Sequence, residues 1–193
     1  MQLVFATNNP NKIKEVQALV PEHIKLLSLA TIGCTEEIPE TTGTIAGNAK
    51  QKADYIKIHY GYDCFADDTG LEVEALNGEP GVDTAYYAGP QRNANDNMNK
   101  LLKNLEHKDN RNAQFKTVIA LHLNGAYHEF TGICKGAITK SKQGDKGFGY
   151  DPVFRPEGYE HTFAEIDLEQ KNKIGHRGLA VKQLIDFLKN TSG

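Results

Sequence analysis

Residues 113–138 read AQFKTVIALHLNGAYHEFTGICKGAI. Phe115, Thr117, Ile119 and Leu121 recur at every second position, the period of a strand with one face turned to a core. Asn124-Gly125 follows, the residue pair best able to supply the two positive φ angles of a type I′ turn. The stretch therefore predicts a long antiparallel hairpin. Upstream, LVFAT (3–7) is a short β-prone run, and NNPNK turns it into a segment with helical spacing at Ile13, Val16, Leu19 and Val20. Asn9 is the expected cap of that helix, with Pro10 at its first position. A strand near Ile24 to Leu27 and a helix carrying Ile45, Ala49, Ala53 and Ile56 lead to the buried strand CFA (64–66). Strand, helix and strand in succession make parallel crossovers. LEVEAL (71–76) alternates and Asn77-Gly78 marks a turn; Met98, Leu101, Leu102 and Leu105 define a third helix. Beyond the hairpin, the Gly-rich loop KQGDKGFGYDPVF (142–154) leads to a last helix with Val181, Leu184, Ile185 and Leu188. Early crossovers plus a central hairpin predict an α/β domain with a mixed sheet flanked by helices.

At 193 residues the chain suits one domain of two lobes at most, over residues 1–193, with enough length for a sizeable core. Its net charge of -3 argues against binding a nucleic-acid polymer, which needs a basic face. Cys34, Cys64 and Cys134 are odd in number and widely spaced, so neither a disulfide framework nor a zinc knuckle is expected. MQLVFATNN lacks the basic and long apolar regions of a signal peptide, and no apolar run approaches bilayer length. These features predict a cytoplasmic protein with no membrane partner.

FADDTG (65–70) ends the apolar run with two adjacent carboxylates, as if the strand stopped there. Like charges so placed either face water or hold a cation. Glu40, Asp67 and Asp68 are oxygen-only donors with no His or Cys cluster beside them, the kind of set that suits a hard ion such as Mg²⁺. Glu36, Glu37, Glu72 and Glu74 read as solvated carboxylates. Because neighbouring strand residues point to opposite sides, one of the two aspartates, Asp68, is expected at a site, while Asp67 braces the turn, supports a neighbouring site residue or meets a metal through water. In ATNNPNK, Lys12 lies in the first helical turn, where a cation opposes the helix dipole. An anion at free N–H groups would explain it, and so would an ordinary capped helix with a solvated lysine. Lys171, His176 and Arg177 near the last helix, and Lys52 one turn after Asn48, form a basic set that a plain surface could also carry. GFGYDP brings backbone and an aromatic ring to where a flat ligand could stack. Ser28, Ser141 and Ser192 have no His with Asp nearby, so a nucleophilic triad is unsupported.

ATNNPNKIKEV, ETTGTIAGNAKQKA, FADDTGLEVEALNGEPGVDTA, YAG, GFGYDPVF and EQKNKIGHRGLA occur in this order. Together they resemble the inosine triphosphate pyrophosphatase family in its bacterial, non-canonical purine form, over effectively the whole chain. The resemblance implies a two-lobed α/β fold around a long mixed sheet, an active site in the cleft between lobes, and a homodimer. It also implies Mg²⁺-dependent hydrolysis of ITP, dITP and XTP to the monophosphate and pyrophosphate.

Carried onto this sequence, the resemblance gives Thr7, Asn8, Asn9, Pro10, Asn11 and Lys12 to the triphosphate. It makes Glu40 and Asp68 the metal ligands, Asp68 also the proton acceptor, and Lys12 a catalytic cation. Thr69 and Lys52 contact the nucleotide; Phe148, Gly149, Tyr150 and Asp151 form the base loop; Lys171, His176 and Arg177 complete the set. Tyr86, Gly47 and Gly175 depart from the family's common Arg, Glu and Ser, and Gly175 lacks a hydroxyl that could reach the nucleotide. A Maf-type pyrophosphatase on another nucleoside triphosphate and a non-catalytic nucleotide-binding protein are the competing readings.

Overall fold

The structure, a computed structural model, describes residues 1–191, so Ser192 lies outside the described residues. The elements run β1 (Gln2–Phe5), α1 (Pro10–Gln17), β2 (Lys25–Leu27), α2 (Ile45–Tyr60), β3 (Cys64–Val73), β4 (Pro80–Gly81) and α3 (Ala94–Asn104). They continue with β5 (Asn112–Leu123), β6 (Ala126–Ile138), β7 (Phe154–Pro156), α4 (Leu168–Ile174) and α5 (His176–Thr191). The strands form one mixed sheet in the order β2-β1-β3-β5-β6-β7, with β4 paired to β3. Asn124 and Gly125, at φ 51° and 80°, join β5 to its neighbour β6, as the hairpin reading requires. The chain divides into two compact units.

The first unit takes residues up to Asp68, Thr117–Gly132 and the chain from Arg177 onward. Here β1 runs parallel to β2, pairing Leu3 with Leu26, and parallel to the start of β3, pairing Phe5 with Phe65. Successive strand residues go to opposite faces, and the two faces differ in size. Leu3, Phe5, Phe65, Ile119 and Leu121 pack with Val16 of α1 and Val181 and Leu184 of α5. Val4, Ala6, Ala66, Val118 and Ala120 pack with Ala49, Ala53 and Ile56 of α2. Small residues on both partners let α2 lie close to the sheet. Phe5 stacks on Phe65 with ring centroids 4.6 Å apart. With helices on both faces, the strands read as continuous apolar runs without alternation.

The second unit comprises Thr69–Lys116 and Ile133–His176. Leu71, Val73, Phe115, Ile138, Phe154 and Phe163 form its core with Met98 and Leu101 of α3. Each fully buried large apolar side chain contributes about 1.5–3 kcal/mol. Here alternation is visible, because half-buried Glu72 and Gln114 lie between buried neighbours and exposed Ile133 and Lys135 flank buried Cys134.

Two expectations are corrected. The strand does not stop at FADDTG: β3 continues to Val73, and Asp67 and Asp68 lie in its middle, both buried. Gly70 is accordingly a strand residue. The Gly-rich loop also does not run straight to the last helix, since β7 and α4 intervene. Asp167 caps α4 by accepting from the Gln170 N–H, a signal present in DLEQ.

Candidate active site

The first unit carries a charged group built around the middle of β3. Asp67 shares the parity of Phe65, so its side chain goes to the face of α1 and α5. There its Oδ1 meets Lys12 Nζ at 3.2 Å, and its Oδ2 accepts from Arg177 Nε at 3.0 Å. Arg177 also donates through Nη1 to Glu15, so two buried carboxylates flank one buried guanidinium. Burial alone would raise the Asp67 pKa, but the positive charges of Lys12, Arg177 and Lys52 hold it well below the usual carboxylate range. Of the roles open to Asp67 the turn brace is excluded, because it lies mid-strand, and its contacts are those of a supporting partner to Lys12 and Arg177.

Asp68 shares the parity of Ala66 and goes to the face of α2. Burial pushes its carboxyl up to about 6; Lys52 and Lys12 oppose the shift, while Glu40 and Asp67 add to it. Lys52, itself buried, donates to the Asp67 carbonyl oxygen at 2.6 Å and pairs with Glu40 Oε1 at 2.8 Å. Its burial works against its charge, yet Asp67, Asp68 and Glu40 together raise its pKa. Asp68 and Glu40 are thus two oxygen-only donors, and the charge of Glu40 acts on the Asp68 carboxyl. Among the described residues no group of three or more His, Cys, Asp or Glu side chains is placed to hold a metal ion. A pair of carboxylates suits an ion that completes its shell with water and phosphate oxygens.

Thr7 to Lys12 form the entry to α1. Asn9 caps the helix as expected, accepting from the N–H groups of Asn11 at 3.0 Å and Lys12 at 3.3 Å. Thr7 Oγ1 accepts from the Asn9 N–H at 3.1 Å. The N–H groups expected to be free for an anion are thus taken by the cap, and Asp67 is the anion that Lys12 faces. Asn8, Pro10 and Asn11 are exposed.

The second unit carries the base-loop residues. Asp151 Oδ2 accepts from the Phe148 N–H at 3.0 Å and from Lys171 Nζ at 2.7 Å, which closes a tight turn over residues 148–151. Gly147 sits at φ +70°, and a Cβ there would fall on the Asp151 carboxylate, so only glycine admits this turn. Lys171 Nζ lies 4.8 Å from the Phe148 ring centroid. Tyr150 is buried and donates to the Thr84 carbonyl at 2.7 Å, so it anchors the loop from below. His176 stacks on Phe115 with centroids 4.4 Å apart. Thr69 is half-buried next to Asp68 in the strand, and Gly175 ends α4, donating to the Lys171 carbonyl at 2.7 Å. Sequence reasoning missed Glu15. Its signal was a carboxylate three residues after Lys12, beside Val16 on the apolar side of α1.

The model of the Ham1 family matches residues 3–187. This chain belongs to the Ham1 family. A relative from Flavobacterium psychrophilum, named dITP/XTP pyrophosphatase, is 66% identical over 190 residues, spanning 98% of this chain and 100% of its own. One of the same name from Porphyromonas gingivalis is 50% identical, covering 97% of each chain. Among solved structures, the Staphylococcus aureus Ham1 protein superposes with a TM-score of 0.91 at 35% identity, covering 99% of this chain and 100% of that one. A HAM1 protein from Coxiella burnetii gives 0.91 at 36% identity, over 98% and 99%. The family resemblance and α/β fold read from the motifs are borne out by these Ham1 matches. Among the described residues no helix is long and apolar enough to cross a membrane.

Proposed function

We propose that the protein hydrolyses the non-canonical purine nucleoside triphosphates ITP, dITP and XTP to the monophosphate and pyrophosphate. The observation that carries this reading is the division of labour between adjacent aspartates. Asp67 is paired with Lys12 and Arg177, while Asp68, on the opposite face of β3, has its carboxyl pushed up by burial, the direction that suits a proton acceptor. Relatives named dITP/XTP pyrophosphatase over the whole chain support the choice of substrate.

Glu40 and Asp68 would hold Mg²⁺, which when bound supplies charge neutralisation at the phosphate oxygens. Asp68 accepts the proton of a water that attacks the α-phosphorus, and pyrophosphate leaves. Lys12 and Lys52 offset the negative charge of the triphosphate, with Thr7 to Asn11 lining its path. Reactions of this kind ask mainly for positioning and charge stabilisation. Thr69 and Lys171 contact the nucleotide, and Phe148 stacks on the base. His176 or Arg177, together with the backbone of residues 147–151, donates to the six-carbonyl that distinguishes hypoxanthine and xanthine from adenine. A donor left unpaired by adenine carries a large penalty, and that rejects ATP. The working form is a homodimer in the cytoplasm.

A panel of ITP, XTP, ATP, GTP and dTTP with Mg²⁺, assayed for pyrophosphate, tests the reading. ITP and XTP should turn over fastest and EDTA should stop them. Turnover no faster than that of ATP and dTTP would defeat it.

A further inference from the structure

Glu40 lies on a segment with no helix or strand, and its side chain is 38% exposed, so regular structure does not fix where its carboxylate points. Helix α2 does. Residues 48, 51 and 52 share one face of that helix, at spacings of three and four, and each takes a successive piece of the segment. Lys52 holds the Glu40 carboxylate. Gln51 grips the next residue at two points, its Oε1 accepting from the Thr41 N–H at 2.8 Å and its Nε2 donating to Thr41 Oγ1 at 2.9 Å. Asn48 grips the residue after that, its Oδ1 accepting from the Thr42 N–H at 3.0 Å and from the Thr42 hydroxyl at 2.9 Å. Two-point contacts fix the rotation of a peptide as well as its position. Gly47 makes room for them, because a Cβ there would fall on the Thr42 and Thr44 hydroxyls. A glutamate at 47 is therefore incompatible with this arrangement, which accounts for one of the departures seen in the sequence.

We propose that Gln51 and Asn48 are positioning residues for Glu40: they clamp residues 41–42 to α2 and so set the cation affinity of the Glu40 and Asp68 pair, with Gly47 admitting the clamp. The inference rests on Glu40 being a cation ligand, as read above. Outer partners that hold a ligand in place typically change metal affinity about 10–100-fold.

The test is Mn²⁺ binding to the full chain without nucleotide, read from loss of the free-ion EPR signal. Wild type is compared with Glu40→Gln, Gln51→Ala, Thr41→Val and the Gln51→Ala/Thr41→Val double variant. Gln51 is only half-buried and Thr41 exposed, and an unchanged circular dichroism spectrum checks the fold of each. Glu40→Gln should weaken binding, and Gln51→Ala and Thr41→Val should each weaken it roughly tenfold. The double variant should be no weaker than the worse single one, because both remove one coupled contact. If Glu40→Gln weakens Mn²⁺ binding while Gln51→Ala and Thr41→Val bind it as wild type does, the clamp is overturned and the ligand reading stands. If Glu40→Gln binds Mn²⁺ unchanged, the ligand reading itself falls, and the clamp with it.

Discussion

Arg177 Nε donates to Asp67 Oδ2 at 3.0 Å, joining the first turn of the last helix to the middle of a strand 110 residues earlier. Both groups are buried, and Lys12 meets the other oxygen of the same carboxylate. The contact ties three elements of the first unit together through charge.

Replacing Asp67 with Asn leaves two cations facing a neutral amide. Breaking a buried ion pair from one side costs about 3–5 kcal/mol. In a chain of this size each kcal/mol moves Tm by about 2–4 °C, so Asp67→Asn should lower Tm by roughly 10 °C in differential scanning fluorimetry. The protein that remains folded should keep more turnover than Asp68→Asn does.

The same pair sets a pH dependence. Asp67 has a folded-state pKa below its unfolded value, so its contribution to stability is present above about pH 4 and is lost as the pH falls toward the folded value. The Tm gap between wild type and Asp67→Asn should accordingly be widest near neutrality and shrink steadily on acidification below pH 4. A gap that stayed constant down to pH 2 would show that the charge of Asp67 is not what stabilises.

Asp68 has the opposite sign. Its folded-state pKa of about 6 exceeds the unfolded value of 3.8, so ionising it costs stability as pH rises between those values, on the order of 2–3 kcal/mol by neutrality. Asp68→Asn should therefore match or exceed the wild-type Tm at pH 7, with no gain at pH 4. Its kcat should nevertheless fall by about a hundredfold or more, the scale of losing one electrostatic contact to the transition state. Melting curves and steady-state kinetics on one preparation separate the two effects.

Much of this arrangement is legible in the amino-acid sequence. Asn124-Gly125 specifies the hairpin, Asn9 the start of α1, and the motif order the family. The extent of β3 was not legible, because two buried carboxylates interrupt the apolar run, and only cations from α1 and α5 make their burial possible. Those partners lie 55 and 110 residues away in sequence, beyond any local pattern. The role of Asp67 was hidden for the same reason. The use of Gly47 was hidden too, since it depends on threonine hydroxyls that fold back over the helix start.

Gly147 offers a test confined to the second unit. A side chain there clashes with the carboxylate that closes the Phe148 to Asp151 turn and is strained at φ +70°. Gly147→Ala should destabilise by about 1–3 kcal/mol. By displacing Phe148 it should raise KM for ITP more than it lowers kcat. A Phe148→Leu variant with an equal rise in KM and little change in Tm would assign the effect to the ring.

Hydrolysis of ITP with Mg²⁺ in ¹⁸O-labelled water tests the central claim most directly, with the products resolved by mass spectrometry. Attack at the α-phosphorus by a water that Asp68 deprotonates predicts label in the inosine monophosphate and none in the pyrophosphate. Label in pyrophosphate, or a product pair of inosine diphosphate and phosphate, would contradict it.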